Sequence, residues 1–140
     1  MPSVSAVLIA ASALVILSLG ALHLFFTYHG PAFHPRSAGL LEQLKADSPR
    51  ISRATTMWRS ALGFHASHSM GAIMFGLIYA YLALEDTGFL FRSVYLLALG
   101  MAVLCVYLAL ARLYWFKIPF RGIALAALLY GAGLAAHLGR

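Results

Sequence analysis

Two histidines three residues apart, His65 and His68, lie inside a long stretch of sequence without charge. No Asp, Glu, Lys or Arg occurs between Arg59 and Glu85, and a helix of that length can cross a bilayer. Imidazole side chains at membrane depth are costly, and they usually face other helices, a partner or a cavity. This pair is therefore the first place at which activity is expected.

The chemistry that fits these residues best is metal ligation. Neutral imidazole is a common ligand of zinc, copper and iron. His65 and His68 share one side of a helix because residues three apart are neighbours on its surface. His23 lies about one turn inside the end of the first apolar segment and could meet them from a second helix. A transition-metal site formed by His23, His65 and His68 is one hypothesis.

Two other interpretations of these histidines stay open. A b-type haem would take one histidine from each of two helices, and Ala61, four residues before His65, would leave room for the macrocycle. A proton relay or small-ligand site is a further alternative. The non-functional interpretation, that His65 and His68 bond to Ser, Tyr or backbone carbonyl groups of adjacent helices, is favoured because no HExxH, CxxCH or inward carboxylate accompanies them.

The elements that position these residues follow from the composition. Of 140 residues, 62% are hydrophobic and 10% charged, with a mean hydropathy of +0.86, which is typical of a membrane protein. Four apolar runs predict an all-α, antiparallel four-transmembrane-helix bundle in a single domain, 1–140. The predicted spans are about 4–28, 57–84, 90–114 and 119–138, with a short amphipathic segment between the first and second helices.

The charge distribution predicts an orientation. The formal net charge is +6, but the cations flank hydrophobic runs, so topology explains them better than a nucleic-acid partner does. The first and third connections, with the helix ends beside them, hold all but two of the ten Lys and Arg residues, and the positive-inside rule then places both termini on the non-cytoplasmic side of a bacterial inner membrane. The cations of those connections are Arg36, Lys45, Arg50, Arg53, Arg59, Arg112, Lys117 and Arg121.

Helical periodicity predicts which faces pack. In the first helix one face carries Ser5, Ile9, Ser12, Ile16, Gly20, His23 and Thr27. In the second helix we expect Phe64, His68, Gly71, Phe75, Tyr79 and Leu82 to be buried. His68 then points inward and His65 stands at the margin of that face. Small residues allow close helix approach, and the predicted packing residues are Gly20, Gly63, Ser67, Gly71, Phe75 and Tyr79.

Parts of the first two helices resemble a known group of proteins. The segments are Gly20-Ala21-Leu22-His23-Leu24, Trp58 followed by Gly63-Phe64-His65-Ala66-Ser67-His68-Ser69-Met70-Gly71, and Phe75-Gly76-Leu77. They are similar to small bacterial four-helix membrane proteins with no established activity. The resemblance implies the same fold and location, with Asn often at position 65 and His at position 68. It implies no catalytic residues.

Transporter and enzyme functions are disfavoured because the sequence lacks the residues that they usually need. A transporter would need an inward acid or base, or a pair of broken helices, in corresponding halves, and the sequence has no nucleophile elbow or phosphate loop. We therefore expect a non-enzymatic helper or accessory subunit that packs on a larger membrane complex or on its own copies, or that binds an apolar ligand within the lipid bilayer. The alternative is a small metal- or haem-binding redox protein.

Overall fold

The protein is all-helical in a computed structural model, which describes residues 2–139. No β-strand occurs within that range. Six helices follow one another along the described chain: α1 Val4–Tyr28, α2 Ala38–Ala46, α3 Met57–Leu84, α4 Thr87–Arg92, α5 Val94–Tyr114 and α6 Lys117–Leu138.

Four of these helices, α1, α3, α5 and α6, are long and apolar enough to cross a membrane. The chain is thus an integral membrane protein, and helices α1 and α3 have the same limits as the first two predicted spans. The third span begins at Val94 and not at residue 90, because the separate helix α4 precedes it. The Asp86 carboxylate accepts the Phe89 N–H at the start of α4, and Ser93 Oγ accepts the Leu96 N–H at the start of α5. Each side chain caps a helix start.

The chain divides into two compact units. One comprises the chain up to Leu19 together with everything from Ala72 onward, and the other comprises Gly20–Gly71. Helices α1 and α3 each contribute residues to both units. The first unit contains most of the buried apolar side chains, and the second contains His23, His65 and His68.

In the first unit, α1 packs through the face that its sequence predicts. Ser5, Ile9, Ser12 and Ile16 are all buried, and Ser12 Oγ donates a hydrogen bond of 2.7 Å to the carbonyl of Ala126 on α6. Because the lipid offers no hydrophobic force between helices, small residues and hydroxyl bonds hold such contacts together. The predicted packing face of α1 is confirmed.

Glycines of the first unit mark where helices approach most closely. A Cβ added at Gly76 of α3 would lie 2.6 Å from Leu17 Cβ and 2.8 Å from the Ala13 carbonyl oxygen on α1. A Cβ at Gly133 of α6 would lie 2.9 Å from Ile9 Cγ1. These separations are too short for any side chain, so only glycine permits the observed contacts of α1 with α3 and α6.

Two tyrosines connect α3 and α6 to the start of α5. Tyr79 Oη donates a hydrogen bond of 2.7 Å to the Leu96 carbonyl, and Tyr130 Oη donates one of 3.2 Å to the Leu97 carbonyl. Their rings meet edge to face at 5.8 Å, directly over Gly100, where a Cβ would collide with the Tyr130 hydroxyl. Buried hydroxyl groups thereby find partners in a setting without water.

The predicted buried face of α3 is wrong in part. Phe64 is 79% exposed, and Gly71 is also exposed. At 100° per residue, the observed stripe is turned by roughly 70° from the predicted one, toward His65. Aromatic side chains can face lipid at little cost, whereas the smallest residues lie where helices approach most closely, so the small residues and not the aromatic ones mark the buried face. The buried residues of α3 are Ser69, Ala72, Phe75, Gly76, Tyr79 and Ala83.

Candidate functional site: three histidines in contact

The unit Gly20–Gly71 brings His23 of α1 and His65 of α3 into direct contact. His23 Nε2 lies 3.2 Å from His65 Nδ1, and the two ring centroids are 5.3 Å apart. One nitrogen donates a hydrogen and the other accepts it, as two neutral imidazoles of complementary tautomers can. The contact joins two helices through residues that are 42 positions apart in the chain.

His68 completes the group from the same side of α3. Its ring centroid also lies 5.3 Å from that of His23, with the planes nearly perpendicular at 80°. All three side chains are half-buried, and both histidines of α3 are in ring contact with His23. We call His23, His65 and His68 the histidine triplet.

Phe33, on the loop after α1, covers two members of the histidine triplet. Its ring stacks on His65 at a centroid distance of 4.7 Å and an angle of 24°, and it lies 4.6 Å from the ring of His23 at 43°. Sequence reasoning missed this residue. The available signal is an aromatic residue between Pro31 and Pro35, in a loop that is short enough to fold back on the end of α1.

Two buried hydroxyl groups lie one helical turn beyond these histidines. Thr27 Oγ1 donates to the His23 carbonyl at 2.7 Å, and Ser69 Oγ donates to the His65 carbonyl at 2.8 Å. Such bonds satisfy a buried hydroxyl within its own helix. Neither hydroxyl donates its hydrogen to an imidazole nitrogen.

The other histidines lie elsewhere. His29 stacks on Phe25 at 4.5 Å, and His34 meets Trp58 edge to face at 5.1 Å. His137 stacks on Phe91 at 4.4 Å in the other unit. Each ring packs on an aromatic neighbour and takes no part in the histidine triplet.

The present positions of the side chains do not form a finished metal site. Within residues 2–139, no group of three or more His, Cys, Asp or Glu side chains is arranged to hold a metal ion. What the structure brings together is a hydrogen-bonded pair with a third imidazole in ring contact. Such a group can share a proton between nitrogens, or can ligate an ion through both nitrogens when each ring carries its hydrogen on the nitrogen that faces away.

The predicted packing residues fall into two sets. Gly20, Phe75 and Tyr79 are buried, as expected. Gly63, Ser67 and Gly71 are exposed, and a Cβ added at Gly63 would meet nothing within 4 Å. Gly63, Ser67 and Gly71 follow the expected spacing of four residues. They lie on a side of α3 that the rest of the unit Gly20–Gly71 leaves exposed, because the buried face of the helix is turned toward His65. The residues of the second set are not packing residues within the described chain.

No protein-family model, curated protein or solved structure matches this chain. The fold and the site together define its class. It is an all-helical integral membrane protein with four helices that are long and apolar enough to cross a membrane, and His23 is in ring contact with His65 and His68.

Proposed function

We propose that the protein is a non-enzymatic membrane protein that binds a single transition-metal ion at the histidine triplet. The observation that carries this proposal is the distance of 3.2 Å between His23 Nε2 and His65 Nδ1. An ion could lie between these nitrogens once the donor ring carries its hydrogen on its other nitrogen, so that both rings stay neutral and both nitrogens offer a lone pair.

The distance suits two ligands of one ion. With metal–nitrogen bonds of about 2.05 Å, two nitrogens of a tetrahedral zinc site lie about 3.3 Å apart. The His23–His65 pair therefore already has the separation of two ligands, and the two rings would only have to turn until both lone pairs point at one ion. His68 would supply the third nitrogen after its ring turns toward His23, whose ring it already contacts.

The same distance favours a single ion over haem. Axial ligands on opposite sides of an iron atom, at bonds of about 2 Å, put their nitrogens about 4 Å apart with the macrocycle between them. Here the His23 and His65 rings are hydrogen-bonded to each other, and Phe33 stacks on one of them and contacts the other. A porphyrin would have to displace all of these contacts.

The three proposed ligands are neutral imidazoles, and this limits the kinds of metal ion that can bind. No carboxylate lies between Arg59 and Glu85 to balance a metal charge. Imidazole nitrogens suit zinc, copper, iron and nickel, whereas magnesium and calcium require oxygen ligands. The proposal is therefore restricted to the ions that prefer nitrogen.

The orientation and location of the protein belong to the same proposal. The four spanning helices form an antiparallel bundle with both termini on the non-cytoplasmic side, and the membrane is a bacterial inner membrane. The concentration of Lys and Arg in the first and third connections and at the helix ends beside them supports this orientation. In this arrangement the histidine triplet lies in the cytoplasmic half of the membrane.

The experiment compares metal affinity in the wild type and in His65→Asn. The asparagine side chain can place an oxygen or nitrogen where His65 Nδ1 lies, so it can keep the bond to His23 while removing an imidazole ligand. Competition titration with zinc in detergent should show one ion per chain and a loss of affinity exceeding about 100-fold in His65→Asn. Equal affinity in both proteins, or no stoichiometric binding to the wild type, would contradict the proposal. His137→Asn is the matched control.

A second candidate function is that of an accessory subunit. Gly63 is exposed with open space around its Cβ position, whereas Gly76 on the same helix is closely packed. Glycine in a helix interior is unfavourable by about 1 kcal/mol relative to alanine, so an open glycine fits a face that another helix covers. The occupant would be a spanning helix of a larger membrane complex or of a second copy of this chain.

The subunit candidate has its own test. Gly63→Leu should fold normally but lose a partner that co-purifies with the wild type, or lose the dimer if the partner is a second copy. Wild-type protein that purifies only as a monomer without a stable companion, in mild detergent and in nanodiscs, would contradict this candidate.

A further inference from the structure

The segment between α2 and α3 is a compact loop whose ends are bonded together. The Met57 N–H donates to the Asp47 carbonyl at 2.9 Å, which closes a loop over residues 48–56. Inside it, the Ser52 N–H donates to the Pro49 carbonyl at 3.1 Å, and Ser52 Oγ accepts the Ala54 N–H at 3.1 Å. We call this segment the 48–56 loop. Its own hydrogen bonds fix its shape, as is typical of compact loops with closed ends.

The tip of the 48–56 loop combines two cations with the most exposed large apolar side chain of the described chain. Ile51 is 94% exposed. Arg50 and Arg53 flank it and are also exposed. Within residues 2–139 the only ion pair joins Lys45 to Glu42, so neither arginine of the tip has an acidic partner there. An isoleucine presented to water between two unpaired arginines has no role in folding that the structure shows.

We infer that the tip of the 48–56 loop binds the headgroup region of acidic phospholipids, with Arg50 and Arg53 on phosphate groups and Ile51 among the upper acyl carbons. The inference is independent of the metal proposal. Arginine binds phosphate oxygens in a bidentate manner, and an apolar side chain beside basic residues is typical of segments that lie in the membrane interface.

The position of the loop favours lipid over a soluble partner. The loop ends where the spanning helix α3 begins: Thr56 Oγ1 accepts the Arg59 N–H at that helix start. Trp58, in the first turn, is of the residue type that marks membrane interfaces. On the other side of the loop, α2 has no buried residue, as expected of a short amphipathic helix that rests on a bilayer surface. The tip is thus tethered at headgroup level on both sides.

The test measures how tightly individual lipids stay bound to the purified protein. Native mass spectrometry in detergent would compare phosphatidylglycerol with phosphatidylcholine, for the wild type and for the double variant Arg50→Gln/Arg53→Gln. We expect the wild type to prefer phosphatidylglycerol. Removing both arginines should weaken its binding about thirtyfold, that is, about fivefold for each basic residue at a lipid surface. Phosphatidylcholine binding should be unchanged.

Control variants distinguish lipid binding by the 48–56 loop from lipid binding by exposed cations elsewhere in the protein. Lys117→Gln/Arg121→Gln removes two exposed cations from the start of α6 and should weaken phosphatidylglycerol binding clearly less than Arg50→Gln/Arg53→Gln does. Ile51→Ser should weaken binding without altering the lipid preference. If the Arg50/Arg53 variant binds phosphatidylglycerol as well as the wild type does, or if the loss equals that of the control, the inference is overturned. Competition by glycerol phosphate as effective as by phosphatidylglycerol would show a free phosphate site and would also overturn it.

Discussion

His23 Nε2 on α1 and His65 Nδ1 on α3 are hydrogen-bonded at 3.2 Å. The chain thereby places two imidazoles in contact inside segments that are long and apolar enough to span a membrane. Hydrogen bonds between membrane helices contribute about 0.6 kcal/mol on average and up to about 1.7 kcal/mol to stability. The link has consequences for both stability and binding.

The first prediction separates these two consequences at position 65. His65→Ala should destabilise the protein by about 1 kcal/mol, the scale of interhelical hydrogen bonds in membranes. His65→Asn should recover most of this loss because its side chain can reach the position of Nδ1. Reversible unfolding in mixed micelles measures both values. Equal destabilisation by Ala and Asn would show that the His23–His65 bond does not contribute to stability.

The second prediction concerns Phe33. Phe33→Ala removes the ring that contacts His23 and His65, and the two imidazoles should then become more accessible from the loop side. Modification of histidine by diethyl pyrocarbonate, read by peptide mass spectrometry, should become several-fold faster at these two positions. Phe25→Ala is the matched control, since Phe25 packs on His29 and not on the histidine triplet. Unchanged rates at His23 and His65 in Phe33→Ala would show that the ring does not shield them.

The third prediction contrasts two glycines of α3. Gly76→Ala forces a Cβ to within 2.6 Å of Leu17 Cβ and 2.8 Å of a backbone oxygen, and overpacking of this kind costs about 1–3 kcal/mol. Gly63→Ala meets nothing within 4 Å and should be neutral or stabilising by up to about 1 kcal/mol. The measurement is the free energy of unfolding of Gly76→Ala, Gly63→Ala and the wild type under the same conditions. A destabilisation by Gly63→Ala equal to that of Gly76→Ala would contradict the observed faces of α3.

The fourth prediction contrasts two buried serines of α1. Ser12 Oγ donates to the Ala126 carbonyl, whereas Ser5 Oγ is the one buried side-chain oxygen or nitrogen without a partner in the described part of the chain. Ser12→Ala should destabilise by about 0.6 kcal/mol. Ser5→Ala removes an unsatisfied hydroxyl and should be neutral or stabilising. The reverse order of stabilities would mean that Ser5 has a partner that the structure does not show.

Much of the fold was predictable because lipid and water impose simple patterns. Runs of apolar residues determined the number of spans, and the small polar face of α1, with Ser5, Ser12 and His23, identified its packing side. The helix α4 was missed because six residues give too little periodicity to distinguish from a turn. Its signal lay in the caps Asp86 and Ser93.

The candidate site was only half predictable. The three histidines could be grouped from their depth in the two helices. Their contact also depends on which face of α3 is buried, and the pattern of large aromatic residues predicted that face incorrectly. Phe64 is the clearest example, because a phenyl ring facing lipid is as acceptable as one facing protein. Phe33 lay outside any periodic pattern, so only the folded loop could reveal its position.

The most direct measurement of the metal proposal is a titration of the wild-type protein with Co²⁺, an ion that takes the place of zinc and reports its ligands by visible absorption. Ligand-field bands of a four-coordinate site should grow to one equivalent per chain and be absent from His23→Ala. Zinc should abolish the bands by displacing the cobalt. No bands at one equivalent, or the same bands in His23→Ala, would contradict the assignment of the histidine triplet as a metal site.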